Sequence, residues 1–140
     1  MAIDLQALKT QLFVDEGDRP KPYVDTVGKV SIGVGRNLTD VGISPDERDL
    51  MLANDIQRTL IWLDANISWW RTLDDARQGA LANMAFDLRA HLLEFTNTLA
   101  AIRAHNWQMA YNGMLASEWA KEVGDRATRL AQTMLTGAPQ

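Results

Sequence analysis

Apolar residues fall at helical spacing from the start of the chain. Leu5, Leu8, Leu12 and Phe13 predict a helix beginning at Asp4, whose carboxylate can cap the free N–H groups while Ile3 and Leu8 staple across it. Gly17, ahead of Pro20 and Pro22, should end that helix. The pattern then changes to short strands: one around Pro22–Val24, a turn at Asp25-Thr26-Val27-Gly28, and a returning strand over Lys29–Ile32. Gly33, Gly35 and Gly42 make the next stretch suited to close backbone approach. Ser44-Pro45-Asp46-Glu47 reads as a capping box with proline at the first helical position, opening a helix that runs to about Asn66 through Leu50, Leu60 and Leu63. Thr72 and Asp75 predict another start, leading through Ala76, Leu81, Met84 and Leu88. Further helices are expected over 93–104, 107–116 and 125–136, the last capped by Asp125 and stopped by Gly137. The expected architecture is therefore α+β and mostly helical. A small β-hairpin lobe (about 17–43) is joined by a long helix (about 44–66) to a helical lobe (about 70–140), with helix 4–15 packed on the latter.

Composition narrows the class. The 140 residues suit one domain spanning 1–140, and 46% apolar with 23% charged residues excludes a disordered chain. The absence of cysteine excludes disulfide frameworks and thiolate metal sites, which fits a reducing compartment. The formal charge of -4 comes wholly from residues 1–79, with nine Lys/Arg against 13 Asp/Glu; residues 80–140 hold five of each. No basic face is evident, so nucleic acid is not an expected partner. No apolar run approaches the roughly 18 residues of a membrane span, and no basic region followed by an apolar stretch opens the chain. Neither membrane insertion nor a signal peptide is therefore expected.

The chemistry must rest on few residue types. His91 and His105 lie 14 residues apart, not at the i,i+4 spacing of a helical zinc pair, so both read as surface or helix-end residues and no metal is expected. No G-x-S-x-G elbow anchors a serine triad, and the Gly33–Gly35 pair lacks the remainder of a phosphate loop. Carboxylates remain. Glu16 sits at a predicted helix end and Asp25 nine residues later at a hairpin turn, where the two can face each other across a cleft. Glycosidic bond cleavage uses such a pair: an acid for the leaving oxygen and a carboxylate that activates water or stabilises positive charge. Ser31, on the returning strand, offers a hydroxyl to hold that water. Spacing alone leaves the alternative open, since most such carboxylates in loops are solvated surface groups. Trp62, Trp69, Trp70, Trp107 and Trp119 read first as packing anchors, with Trp69-Trp70 placed where a groove rim is also possible.

Glu16-Gly17, Tyr23-Val24-Asp25-Thr26, Gly28 and Ser31-Ile32-Gly33-Val34-Gly35 together resemble the E-G, Y-x-D-x-x-G, T/S-I-G-x-G pattern of the bacteriophage-type lysozymes, the muramidases also called endolysins. The likeness continues through Asn83-Met84-Ala85-Phe86, Phe95-Thr96-Asn97-Thr98-Leu99, Trp107, Trp119 and Asp125-Arg126-Ala127. It implies a lysozyme-like fold and hydrolysis of the β-1,4 bond between N-acetylmuramic acid and N-acetylglucosamine in bacterial peptidoglycan. By the same resemblance Glu16 is the general acid, and Asp25 and Ser31 place the water. Arg126 pairs with the catalytic glutamate, and Phe86 and Thr98 line the substrate cleft. No cofactor is implied. The family likeness further implies a monomer held in the host cytoplasm until a holin opens the way to the wall.

Three departures stand out. Arg36 replaces a histidine common after the G-x-G, so an ion pair there must be rebuilt; Arg89 replaces a common glycine; Gly113 stands where some relatives carry a polar side chain. The short link from Asn37 to Ser44 implies that part of a hairpin is missing. Two alternatives remain beside the hydrolase: a lytic transglycosylase acting on the same bond, and a non-catalytic wall-binding protein on a lysozyme scaffold.

Overall fold

The computed structural model describes residues 2–140; Met1, the first residue of the stretch read above for a leader, lies outside them. Helix α1 (Leu5–Glu16) starts as expected: Asp4 accepts a hydrogen bond from the Ala7 N–H at 3.0 Å. It stops at Gly17, which takes φ +79° while its N–H donates to the Phe13 carbonyl. Strands β1 (Arg19–Val24), β2 (Val30–Gly33) and β3 (Arg36–Asn37) follow, in the antiparallel order β1-β2-β3. Strand β1 begins three residues before the expected start. Its two prolines are tolerated because β1 is an edge strand with an irregular register between Arg19 and Tyr23. Strand β3 was not expected; it is only two residues long, too short for a periodic pattern.

Helix α2 (Pro45–Asn66) opens on the predicted capping box, Glu47 N–H donating to Ser44 Oγ at 3.2 Å and Ser44 N–H to Glu47 Oε1 at 2.8 Å. After a 3₁₀ turn at Trp70–Thr72 comes α3 (Asp75–Leu88). Its cap is Asp74, not Thr72 or Asp75, because the Asp74 carboxylate accepts the Arg77 N–H at 3.1 Å. A second 3₁₀ stretch, Arg89–Glu94, shortens the helix expected at 93–104 to α4 (Thr96–Arg103). Helices α5 (Trp107–Leu115), α6 (Glu118–Val123) and α7 (Asp125–Thr136) complete the chain. The unforeseen α6 is capped by Ser117. Asp125 is the first residue of α7 instead of its cap; Gly124, at φ +56°, holds the capping position with no side-chain bond. Gly137 ends α7 in the left-handed conformation, as predicted.

The chain forms two compact units whose boundary, Met51/Leu52, falls within α2. The apolar core belongs to the second. Leu63, Leu81, Met84, Leu92, Ile102, Met114 and Met134 are fully buried there, with Trp70 and Trp119 close behind at 3% and 4% exposure. Burial therefore bears out the packing role read for these two tryptophans. Arg77 fastens α3 to the end of α7, its Nε donating to the Met134 carbonyl at 2.7 Å and its Nη2 to that of Leu135 at 3.1 Å, while its guanidinium lies 3.8 Å from the centre of the Trp107 ring. In the first unit Ser31 is the only buried residue among those described, and no apolar side chain is buried. Among the described residues no helix is long and apolar enough to cross a membrane. The architecture is the mixed one expected: mostly helical, with one small antiparallel sheet.

Candidate active site

Glu16 is the last residue of α1, and Gly17 redirects the chain immediately after it. Its carboxylate lies against the backbone of Gly35: a Cβ added to that glycine would stand 2.7 Å from Glu16 Oε2 and 3.2 Å from its Cγ. Gly35 itself has φ +68°, so the turn between β2 and β3 needs a glycine for its dihedral and for its neighbour.

Asp25 follows β1 directly and organises the hairpin. Its Oδ1 accepts the N–H groups of Val27 at 3.0 Å and Lys29 at 2.9 Å, and its own N–H donates to the Lys29 carbonyl at 2.8 Å. This is the Asx-type turn that Asp favours, and it engages one carboxylate oxygen. Ser31 pairs with Tyr23 across β1 and β2, and with Asn37 across β2 and β3. Side chains alternate along a strand, so Asp25, two residues after Tyr23, shares a face with Tyr23 and Ser31. Ser31 is 4% exposed and Asp25 is half-buried. Glu16, Asp25 and Ser31 thus belong to one compact unit, with the hydroxyl and the aspartate on a single face of its sheet.

The ion pair displaced by Arg36 is rebuilt with Glu47. Arg36 Nη1 lies 2.6 Å from Glu47 Oε2 and donates to the Gly42 carbonyl at 3.2 Å. The hydrogen bond from Arg36, followed by those from the Ser44 N–H and hydroxyl, holds the Glu47 carboxyl down at about 2. The clamp thus ties β3 to the first turn of α2, within the first unit.

Phe86, Thr98 and Arg126 lie in the second unit. Phe86 is half-buried and lines two neighbouring pockets. Thr98, at 7% exposure, presses against α5, and a Cβ added to Gly113 would overlap its Oγ1. Arg126 is held by α3: its Nε and Nη2 donate to Asn83 Oδ1 at 3.0 and 2.8 Å, and its Nη1 lies 3.5 Å from Asp87 Oδ1. Asp87 also accepts the Trp119 indole N–H at 2.9 Å. Asn83 and Asp87 are one helical turn apart, on the face that meets α7. The sequence reading did not assign this network; the i,i+4 spacing of two polar residues in an apolar helix was its one visible signal.

His91 and His105 stay outside any cluster. His91 is exposed with Nδ1 3.4 Å from Glu94, and His105 stacks on Trp107 with ring centres 4.8 Å apart. Among the described residues no group of three or more His, Cys, Asp or Glu side chains is arranged to hold a metal ion.

A small antiparallel sheet in one unit and a helical core in the other form a mixed, mostly helical fold whose family sequence comparison makes specific. A family model described as phage lysozyme matches residues 14–133, and the chain belongs to that family. It is similar to the pre-baseplate central spike protein Gp5 of Enterobacteria phage T4, at 28% identity over 152 aligned positions covering 88% of this chain and 26% of that protein. It is also similar to the probable T4-type lysozymes 1 and 2 of Dictyostelium discoideum, at 23% and 24% identity, covering 95% of this chain and 96% of each. The chain thus spans about a quarter of the spike protein and nearly all of the other two.

Proposed function

We propose that this chain is a muramidase that hydrolyses the β-1,4 bond between N-acetylmuramic acid and N-acetylglucosamine in bacterial peptidoglycan. The observation that carries the reading is local: Glu16 lies against the turn after β2, on the same small sheet whose hairpin sets Asp25 and Ser31 on one face. In this reading Glu16 protonates the leaving glycosidic oxygen, while the free oxygen of Asp25 and the Ser31 hydroxyl hold the attacking water on the opposite face of the sugar. Such a division of labour gives inversion, with carboxyl groups about 6.5–9.5 Å apart in the working enzyme. The pairing of Arg126 with the acid stands as what the family resemblance implies; within its own unit Arg126 is held by Asn83 and Asp87. Phe86 offers a half-exposed ring to a sugar, and Thr98 only the small part of its side chain that reaches solvent. No step needs a cofactor.

Proton NMR of the first-formed anomer tests the stereochemistry: an inverted product is expected, and a retained one rejects the assignment. Glu16→Gln should abolish release of reducing ends from purified peptidoglycan while leaving the fold intact. Wild-type turnover in that variant would show that the acid is another residue. Products lighter by one water would mean a transglycosylase, and binding without reducing ends a wall-binding protein.

A further inference from the structure

A pocket of about 270 Å³ opens on the second unit between α2 and the end of α3, lined by Asp55, Arg58, Thr59, Trp62, Ala85, Phe86 and Arg89. Its charged groups do not cancel. Arg58 donates to Asp55, and Thr59 donates to the Asp55 carbonyl at 2.9 Å, so the first two charges are matched. Arg89 forms no ion pair among the described residues, which leaves the pocket with one net positive charge in a chain of formal charge -4. Trp62 and Phe86 supply aromatic walls beside it.

The backbone of Arg89 points the same way. It caps α3 at φ +54° and ψ -129°, a conformation that glycine adopts freely and side chains resist. Gly124 takes nearly the same angles at the end of α6, where the chain does use glycine. Arg89 is thus an exposed arginine in a glycine-like conformation, beside a concave aromatic surface and without an ion-pair partner among the described residues.

We propose that this pocket is a subsite for a carboxylate-bearing group, and that Arg89 is the residue that selects it. The proposal rests on the peptidoglycan reading above, because the peptides attached to those glycan strands carry free carboxylates. The guanidinium fork takes the carboxylate through charge-assisted hydrogen bonds, and the Trp62 and Phe86 rings pack on the apolar part of the same peptide.

The experiment uses the full chain carrying Glu16→Gln, so that binding is read without turnover. The probes are a synthetic stem tetrapeptide with free carboxylates and the same peptide with its carboxylates amidated, titrated while the Trp62 indole N–H resonance is followed. The free acid should shift that resonance and bind about tenfold more tightly than the amide, the worth of one charged hydrogen bond. Arg89→Gly should bring the two peptides to equal affinity, and Arg89→Lys should restore part of the difference. Because glycine suits the backbone there, the Arg89→Gly chain should melt no lower than its parent. A Trp62 resonance that ignores both peptides, or a free-acid preference that survives Arg89→Gly, overturns the proposal. Failure of the wild-type chain to release reducing ends would instead overturn the hydrolase reading and leave this binding result standing.

Discussion

Gly35 and Glu16 lie against each other: a Cβ added to the glycine would stand 2.7 Å from the glutamate Oε2, so the carboxylate would have to move to admit one. Gly35→Ala should therefore displace the carboxylate and strain a backbone at φ +68°. The expected result is a stability loss of about 1–2 kcal/mol and, from misplacing the acid by an ångström or so, a fall in kcat of about 100-fold. Gly42→Ala is the control. It has the same φ but nothing within 4 Å of an added Cβ, so it should lose comparable stability while keeping most of its activity. Equal kcat losses in the two variants would show that strain, and not the Glu16 contact, is responsible.

Asp25 has two separable duties. Its Oδ1 closes the hairpin turn by accepting two backbone N–H groups, and in the proposed mechanism its other oxygen faces water. Asp25→Asn retains an acceptor for the turn and should unfold within about 0.5 kcal/mol of wild type, yet lose most turnover. Asp25→Ala should lose both, with a further stability cost of about 1–2 kcal/mol from the abandoned N–H groups. Urea melts with reducing-end assays on both variants separate the duties.

The Arg36–Glu47 clamp predicts a pH signature. The Glu47 carboxyl titrates near 2 in the folded chain against an ordinary 4.5, so the folded state binds its proton less readily than the unfolded one. The linked stability is fully present above about pH 4.5 and is lost as pH falls through 2. Wild type should thus exceed Glu47→Gln in melting temperature at neutral pH, with the gap closing over that window. A gap that stays constant down to pH 2 would show that the pair does not couple to folding.

Gly113 and Thr98 mark where two helices approach most closely. Alanine would normally favour a helix interior by about 1 kcal/mol over glycine, but at 113 it meets the Thr98 hydroxyl. Gly113→Ala should destabilise by about 1–3 kcal/mol from overpacking. Adding Thr98→Ala should recover part of the loss, a coupling of at least about 0.5 kcal/mol in a double-mutant cycle.

The parts of this molecule legible in the sequence are those governed by neighbours in the chain. Asp4, the Ser44–Glu47 box and Gly137 announce helix ends because a cap acts within one turn. The candidate trio at 16, 25 and 31 came from the family pattern, because spacing alone did not separate these carboxylates from solvated surface groups; one helix end and one hairpin carry all three. Short elements were missed: β3 and α6 hold too few residues to show a period. The bounds of α7 agree with the expected 125–136, but its cap does not: Gly124, not Asp125, holds the capping position. Partners that depend on tertiary packing left little trace. Arg126 meets Asn83 across 43 positions, and Arg77 reaches Met134 across 57. Arg36 was recognised as a departure, but its replacement partner Glu47 emerged only from the folded turn.

The first unit buries Ser31 and no apolar side chain among the residues described, so its shape depends on strand pairing, the Asp25 turn and the Arg36 clamp. Amides there will exchange with deuterium through small, frequent openings, whereas those around Leu81 and Met114 exchange only when the helical core gives way. Warming should accordingly silence the activity while the circular dichroism still reads as helical, because the unit bearing Glu16 is the one that loosens first.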